Sequence, residues 1–175
     1  MKSEDNGHAE SSKKWLEDVR DGRLAREFET TALQGLQVVR AQKGSMLCNF
    51  TVPKAQSDEK GNWVAGAMAA LIDDVGAAAI VSIVDRLHVS VSFDISFFST
   101  AKIQEELEIE AYTLGNNGKL CSVEVRITRK TDGKLIALGK QWMLSATNVR
   151  ESAVDGIDRV QLKLLNELKH ISLGQ

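Results

Sequence analysis

Between Val64 and Val84 the chain is apolar almost without a break, and its only charges are two adjacent acids, Asp73 and Asp74, near the middle. A helix that is hydrophobic all round has no solvent face, so other elements or lipid must wrap it. The run is 21 residues long, enough to cross a bilayer. Each central Asp would cost about 2.5–3.5 kcal/mol on insertion, and alanine offsets little of that. No membrane span is therefore expected. The reading is a buried helix that carries carboxylates into the interior, where an ionised acid needs a partner or a purpose.

The chain has 175 residues and a hydrophobic fraction of 43%, enough for one full core with length left for tails. A net charge of −2 with both signs mixed gives no basic field, which excludes nucleic acid as an expected partner. Cys48 and Cys121 lie far apart and form no CxxC, so they read as structural thiols of a reducing compartment. His8, His88 and His170 are scattered; neither a metal site nor a cofactor is expected. Met1–Trp15 is polar, without an apolar signal region, and the terminal Ser-Leu-Gly-Gln matches no address signal. The expected location is cytoplasmic.

Residues 1–12 read as a disordered tail by composition. From Lys13 to Thr31 apolar residues recur at helical spacing, interrupted at Asp21-Gly22, which predicts two short helices or one broken one. Leu36–Gln42 and Ser45–Val52 form a hairpin about Lys43-Gly44, and the only proline, Pro53, ends it. A polar loop then leads into the central helix. In Leu87–Phe97 the odd positions are apolar. The even ones, His88, Ser90, Ser92, Asp94 and Ser96, are polar, as in a strand with two distinct faces. Glu106–Leu114, Leu120–Arg129 and Lys134–Thr147 follow across short turns, so the four strands read as a meander. Gly156–His170 reads as an amphipathic helix. The expected organisation is α+β, a long buried helix wrapped by a curled antiparallel sheet. Residues 1–31 form a polar tail and N-terminal helical segment, 32–148 the wrapped domain and 149–175 a C-terminal helical extension.

Four local words occur in order: Ala65-Gly66 followed by Leu71-Ile72-Asp73, Val89-Ser90-Val91, Ser99-Thr100-Ala101-Lys102, and Gly133-Lys134-Leu135-Ile136-Ala137-Leu138-Gly139. In that order and spacing, over about Gly35 to Thr147, the chain resembles the hotdog-fold acyl-CoA thioesterases of the phenylacetate-degradation and thioesterase-superfamily-member-2 type. The resemblance implies a hotdog fold and hydrolysis of acyl-CoA. It also implies a homo-oligomer, dimer or tetramer, whose sites are shared between subunits. In that family the helix opens with His-Gly-Gly, and an acid eight residues after the first of these glycines acts on water. Asp73 stands at the acid position, and Ser90 at a strand serine that helps hold the water. Val64-Ala65-Gly66 replaces His-Gly-Gly, and Asp58 replaces a loop asparagine.

Thioester hydrolysis needs a water nucleophile, a base and donors for the oxyanion. The free N–H groups of Ala65 and Gly66 can be those donors, because the first turn of a helix lacks internal partners and carries its positive dipole end. Asp73 is about 12 Å further along the axis by helix rise, too far to serve the same carbonyl. The site therefore needs the helix start of one subunit and the acid of another.

Each candidate has two readings. Asp73 is the base or a buried structural acid. Asp74, about 100° around the helix, meets solvent or a partner subunit. Ser90 holds water or is an ordinary strand serine. His88 shares the Ser90 face and either enters the site or stands exposed at an edge. Lys102 and Lys119 lie in turns where they meet CoA phosphates or only solvent. Trp63 lines an acyl tunnel or staples the helix start. The leading expectation is an acyl-CoA thioesterase, with Val64 and Asp58 beside the substrate. The alternative is a non-catalytic binder of acyl-CoA or a lipid-like ligand, and a partner-docking role comes third. A hotdog hydratase would need a histidine five residues after the acid, where Ala78 stands.

Overall fold

In the computed structural model, which describes residues 2–24, 27–84, 88–117 and 119–145, helix α3 (Ala65–Val84) lies against a six-stranded antiparallel sheet. The strands are β1 (Leu36–Gln42), β2 (Ser45–Thr51), β3 (His88–Phe97), β4 (Glu106–Asn116), β5 (Leu120–Arg129) and β6 (Leu135–Ser145). All six touch α3. The opposite side of α3 is covered by α1 (Lys2–Arg20) and α2 (Glu27–Leu33). By length and composition α3 could cross a membrane. Here the cover on two sides explains its all-round hydrophobicity.

One core joins the layers. Leu16, Val19 and Leu33 from the outer helices meet Leu71, Ile72, Val75 and Ile80 of α3, with Ile109, Val125 and Ile127 from the sheet. The sheet comes closest at Gly139 of β6, where a Cβ would lie 2.4 Å from Ile72 Cγ2. A side chain there would push helix and sheet apart.

The break at Asp21-Gly22 separates α1 from α2, as its sequence predicts, and Gly22 takes φ +72. Three expectations need correction. Residues 1–12 are not a structureless tail, since α1 begins at Lys2. Ala9 and Ser12 are buried, and Ser12 Oγ donates to the Ala78 carbonyl. Burial against α3 outweighs a polar composition.

The meander has three strands, not four. The sheet order is β1-β2-β4-β5-β6-β3, so β3 pairs with β6 at the far edge and β4 pairs with β2. The segment 98–105 carries the chain across the sheet end. Phe98 N and Ser99 N donate to Ile136 O, and Gln104 N donates to Val52 O. A hairpin is simply the shortest reading of consecutive strands, and these long-range bonds replace it.

The regular alternation of β3 also fails, because a bulge separates Ser90 from Ser92. Directly paired residues share a face. Ser90 pairs with Met143 and Phe93 with Gln141, and both partners face inward and are buried. The extra residue, Val91, thus puts Ser90 on the same face as Phe93. The amphipathic segment Gly156–His170 lies outside the described residues.

Candidate active site

Midway along α3, Asp73 points between β3 and β6. Ser90 Oγ donates to Asp73 Oδ1 at 2.7 Å. Gln141 Nε2 donates to the same oxygen and lies 3.4 Å from Ser90 Oγ. One carboxylate oxygen therefore takes two donors, and Oδ2 has no hydrogen-bond partner among the described residues. Asp73 is half-buried, Ser90 exposed and Gln141 buried. Without the β3 bulge, Ser90 would point to the opposite face of the sheet.

Gln141 was missed in the sequence. Its inward row runs Ala137, Gly139, Gln141 and Met143, so a polar residue in phase with apolar ones was the available signal. Leu138, Trp142 and Leu144 on the other row hid it, because a strand apolar on both faces shows no alternation.

At the start of α3, Trp63 N donates to Ala101 O and Val64 N to Gln56 O, while Ala67 N and Met68 N turn to Val64 O. The amides of Ala65 and Gly66 have no acceptor among the described residues. Both residues are exposed, and nothing lies within 4 Å of the place a Gly66 Cβ would take. Two unpaired N–H groups thus belong to exposed residues at the positive end of a 20-residue helix. Val64, beside them, is 39% exposed and offers only an apolar surface.

Trp63 is a core residue. Its ring stacks on Phe50 at 4.7 Å, and Nε1 donates to Gln56 Oε1 at 2.9 Å. The Gln56 amide in turn donates to the carbonyls of Thr31, Ala32 and Gln34. This chain of bonds ties the helix start to the end of α2, which is the stapling reading.

Asp58 spends both oxygens on its own loop. Oδ1 accepts from Lys60 N and Asn62 N, and Oδ2 accepts from Asn62 Nδ2. Hydrogen bonds from Asn62, first of all, hold its carboxyl below the usual range. Lys102 Nζ donates to Asn62 Oδ1 at 2.5 Å, so this lysine also braces the loop before α3. Lys119 lies at the other end of the fold, on the β4–β5 turn, where its carbonyl accepts from Ser145 N. The two lysines are not brought together.

His88 is neither edge-exposed nor beside Asp73. It is buried at the start of β3, with Nε2 3.6 Å from Cys121 Sγ. Burial raises the Cys121 thiol and pushes Cys48 up to about 12, so neither is a ready nucleophile.

Asp74 is half-buried, like Asp73, and its Oδ2 is buried. It turns toward α2, where its Oδ2 and Glu29 Oε2 are both buried without a hydrogen-bond partner. Burial, then the charges of Asp73 and Glu29, push the Asp74 carboxyl well above the usual range. The reason is the cover of α1 and α2, which closes over the Asp74 Oδ2 side of α3. Among the described residues, no three His, Cys, Asp or Glu gather as a metal site would need.

A family model described as "Thioesterase superfamily" matches residues 60–136, the span holding Asp73 and Ser90. The chain is similar to acyl-coenzyme A thioesterase 13 of Homo sapiens, 32% identical over 117 residues, which cover 66% of this chain and 83% of the relative. The crystal structure of zebra fish thioesterase superfamily member 2 is similar with a TM-score of 0.71 and 26% identity, over 78% of this chain and 97% of that one. A hypothetical thioesterase protein from Streptococcus pneumoniae, solved with coenzyme A, shares the fold at a TM-score of 0.61 and 17% identity, over 65% of this chain and 90% of its own.

Proposed function

The chain belongs to the thioesterase superfamily, and from that membership we propose that it hydrolyses acyl-CoA thioesters with Asp73 as the base that activates water. It is a thioester hydrolase of the α+β hotdog fold. The observation that carries the site reading is the contact of Ser90 Oγ with Asp73 Oδ1, on a half-buried carboxylate whose Oδ2 has no partner among the described residues.

The chemistry follows from that geometry. A water between Asp73 Oδ2 and Ser90 Oγ gives one hydrogen to each acceptor and turns a lone pair outward. It attacks the thioester carbonyl while Asp73 takes its proton. The oxyanion is held by the Ala65 and Gly66 amides, which cost no reorganisation because the helix start fixes them. Collapse breaks the C–S bond, and the proton on Asp73 passes to the departing sulfur, releasing acid and CoA. Val64 supplies apolar contact, and Asp58 and Lys102 keep the loop before the helix in place. Lys119 and His88 stay outside this reaction.

The amides belong to a second copy, since Ala65 and Asp73 of one helix are about 12 Å apart. The edge that would receive that copy carries exposed apolar side chains on both faces of the sheet: Val91, Phe93, Phe97, Phe98 and Trp142, on and beside edge strand β3, are 55, 40, 48, 57 and 49% exposed. Apolar side chains on an open strand edge are what a second chain covers. The assembly is a dimer, or a tetramer of such dimers. Residues 32–148 form the catalytic domain, flanked by the N-terminal segment 1–31 and the extension 149–175, in a reducing, cytoplasmic setting that suits two free buried thiols.

A panel of acyl-CoAs with a thiol-release readout tests the proposal. Turnover on at least one chain length that is lost in Asp73→Asn supports it. Calorimetric binding with no thiol release on any acyl group would make the protein a binder instead.

A further inference from the structure

Gln141 is a buried carboxamide, 1% exposed, in an otherwise apolar row of β6. A polar group there costs stability unless its hydrogen bonds are made. One half of it is satisfied, since Nε2 donates to Asp73 Oδ1 and lies 3.4 Å from Ser90 Oγ. The reverse orientation would set two acceptor oxygens against each other. The other half is not satisfied, because Oε1 is buried with no hydrogen-bond partner among the described residues. That oxygen presses on Gly76, where a Cβ would come within 2.4 Å of it. Gly76 is interior to α3, where glycine costs stability relative to alanine. Val123 Cγ1 and Val125 Cγ2 would also stand 3.2 and 3.3 Å from that Cβ, but the carboxamide oxygen is the hardest clash. An unpaired oxygen and a helical glycine thus meet at one point, as they would if the amide must reach Asp73.

We propose that Gln141 is a positioning residue of the hydrolytic site, its amide fixing the Asp73 carboxylate so that Oδ2 faces the attacking water, with Gly76 providing the space that fixing requires. The inference rests on the thioesterase reading given above. Gln141 touches neither water nor substrate. It acts through Asp73, by occupying Oδ1 together with Ser90 and so stopping rotation of the carboxylate. A base displaced by about 1 Å can lose on the order of 10²-fold in rate.

The test is a double-mutant cycle in kcat and KM on an acyl-CoA that the wild type turns over. Gln141→Ala should lower kcat on the order of 10²-fold with KM changed less than about threefold. Gly76→Ala should lower kcat comparably, because its Cβ displaces the carboxamide. Placed on Gln141→Ala, it should lower kcat less than about threefold further, since the displaced group is gone and the remaining tight contacts, with Val123 and Val125, bear on packing rather than on Asp73. Gln141→Glu keeps size and shape but sets a second carboxylate against Asp73. Its activity relative to the wild type should rise as pH falls from about 8 toward 5, when the pair of carboxylates can share a proton. Thiol release by the wild type with Gln141→Ala retaining kcat within twofold overturns this inference alone. So does an undiminished Gly76→Ala cost in the Gln141→Ala background, or a Gln141→Glu profile of wild-type shape. No thiol release by the wild type on any acyl-CoA overturns the thioesterase reading, and this inference with it.

Discussion

Asp73 and Asp74 are neighbours in sequence with opposite surroundings, and the difference sets what their amides should do. Asp73→Asn keeps shape and the bonds from Ser90 and Gln141 near Oδ1 but cannot take a proton, so kcat should fall by about 10²–10⁴-fold. Asp74→Asn changes a half-buried carboxyl that turns away from Ser90 and Gln141 toward α2, and should leave kcat within a few-fold. Thiol release by the two purified variants decides it, and equal losses would remove Asp73 from its role. Asp73 and Ser90 were legible in the sequence because the helix word and the strand word hold fixed places around them. Asp74 was not, because helical angle gives direction but not what stands there. Trp63 was legible as one of two alternatives, and only its bonds to Phe50 and Gln56 choose between them.

At the level of elements, the contact of α2 with α3 carries a pH signature. The Asp74 carboxyl is raised in the fold, first by burial and then by the charges of Asp73 and Glu29. In the unfolded chain it titrates near the ordinary value of about 3.9. Between the two values the folded state holds the extra proton, so stability falls as pH rises above about 4, until the folded value is passed. The slope is at most about 1.4 kcal/mol per pH unit. Asp74→Asn cannot ionise and lacks this loss. Urea unfolding at pH 5 and pH 8 should show the variant gaining on the wild type as pH rises. Parallel pH dependences would mean that Asp74 is charged and matched in the fold. The elements themselves were largely legible, since α3, the β1–β2 hairpin and the later strands follow from periodicity and turn residues. The order of the sheet was not. Placing β3 beside β6 depends on bonds between residues 40 to 57 apart, and the Val91 bulge leaves no mark in an alternation that looks regular.

For the whole molecule the central claim is a site built from two copies, with the helix start of one facing the acid of the other. Ala65→Pro removes one oxyanion donor, and proline is tolerated at the first helical position, so the fold should survive. Alone it should lose about 10²–10³-fold in kcat. Asp73→Asn should be similarly weak. The decisive measurement mixes these two inactive variants by joint refolding and follows thiol release from acyl-CoA. Random pairing makes half of the dimers mixed, each with one intact and one doubly altered site, so activity should return to about a quarter of wild type. Activity that stays at the level of the separate variants, in a mixture shown to exchange subunits, would contradict a shared site and confine the chemistry to a single chain.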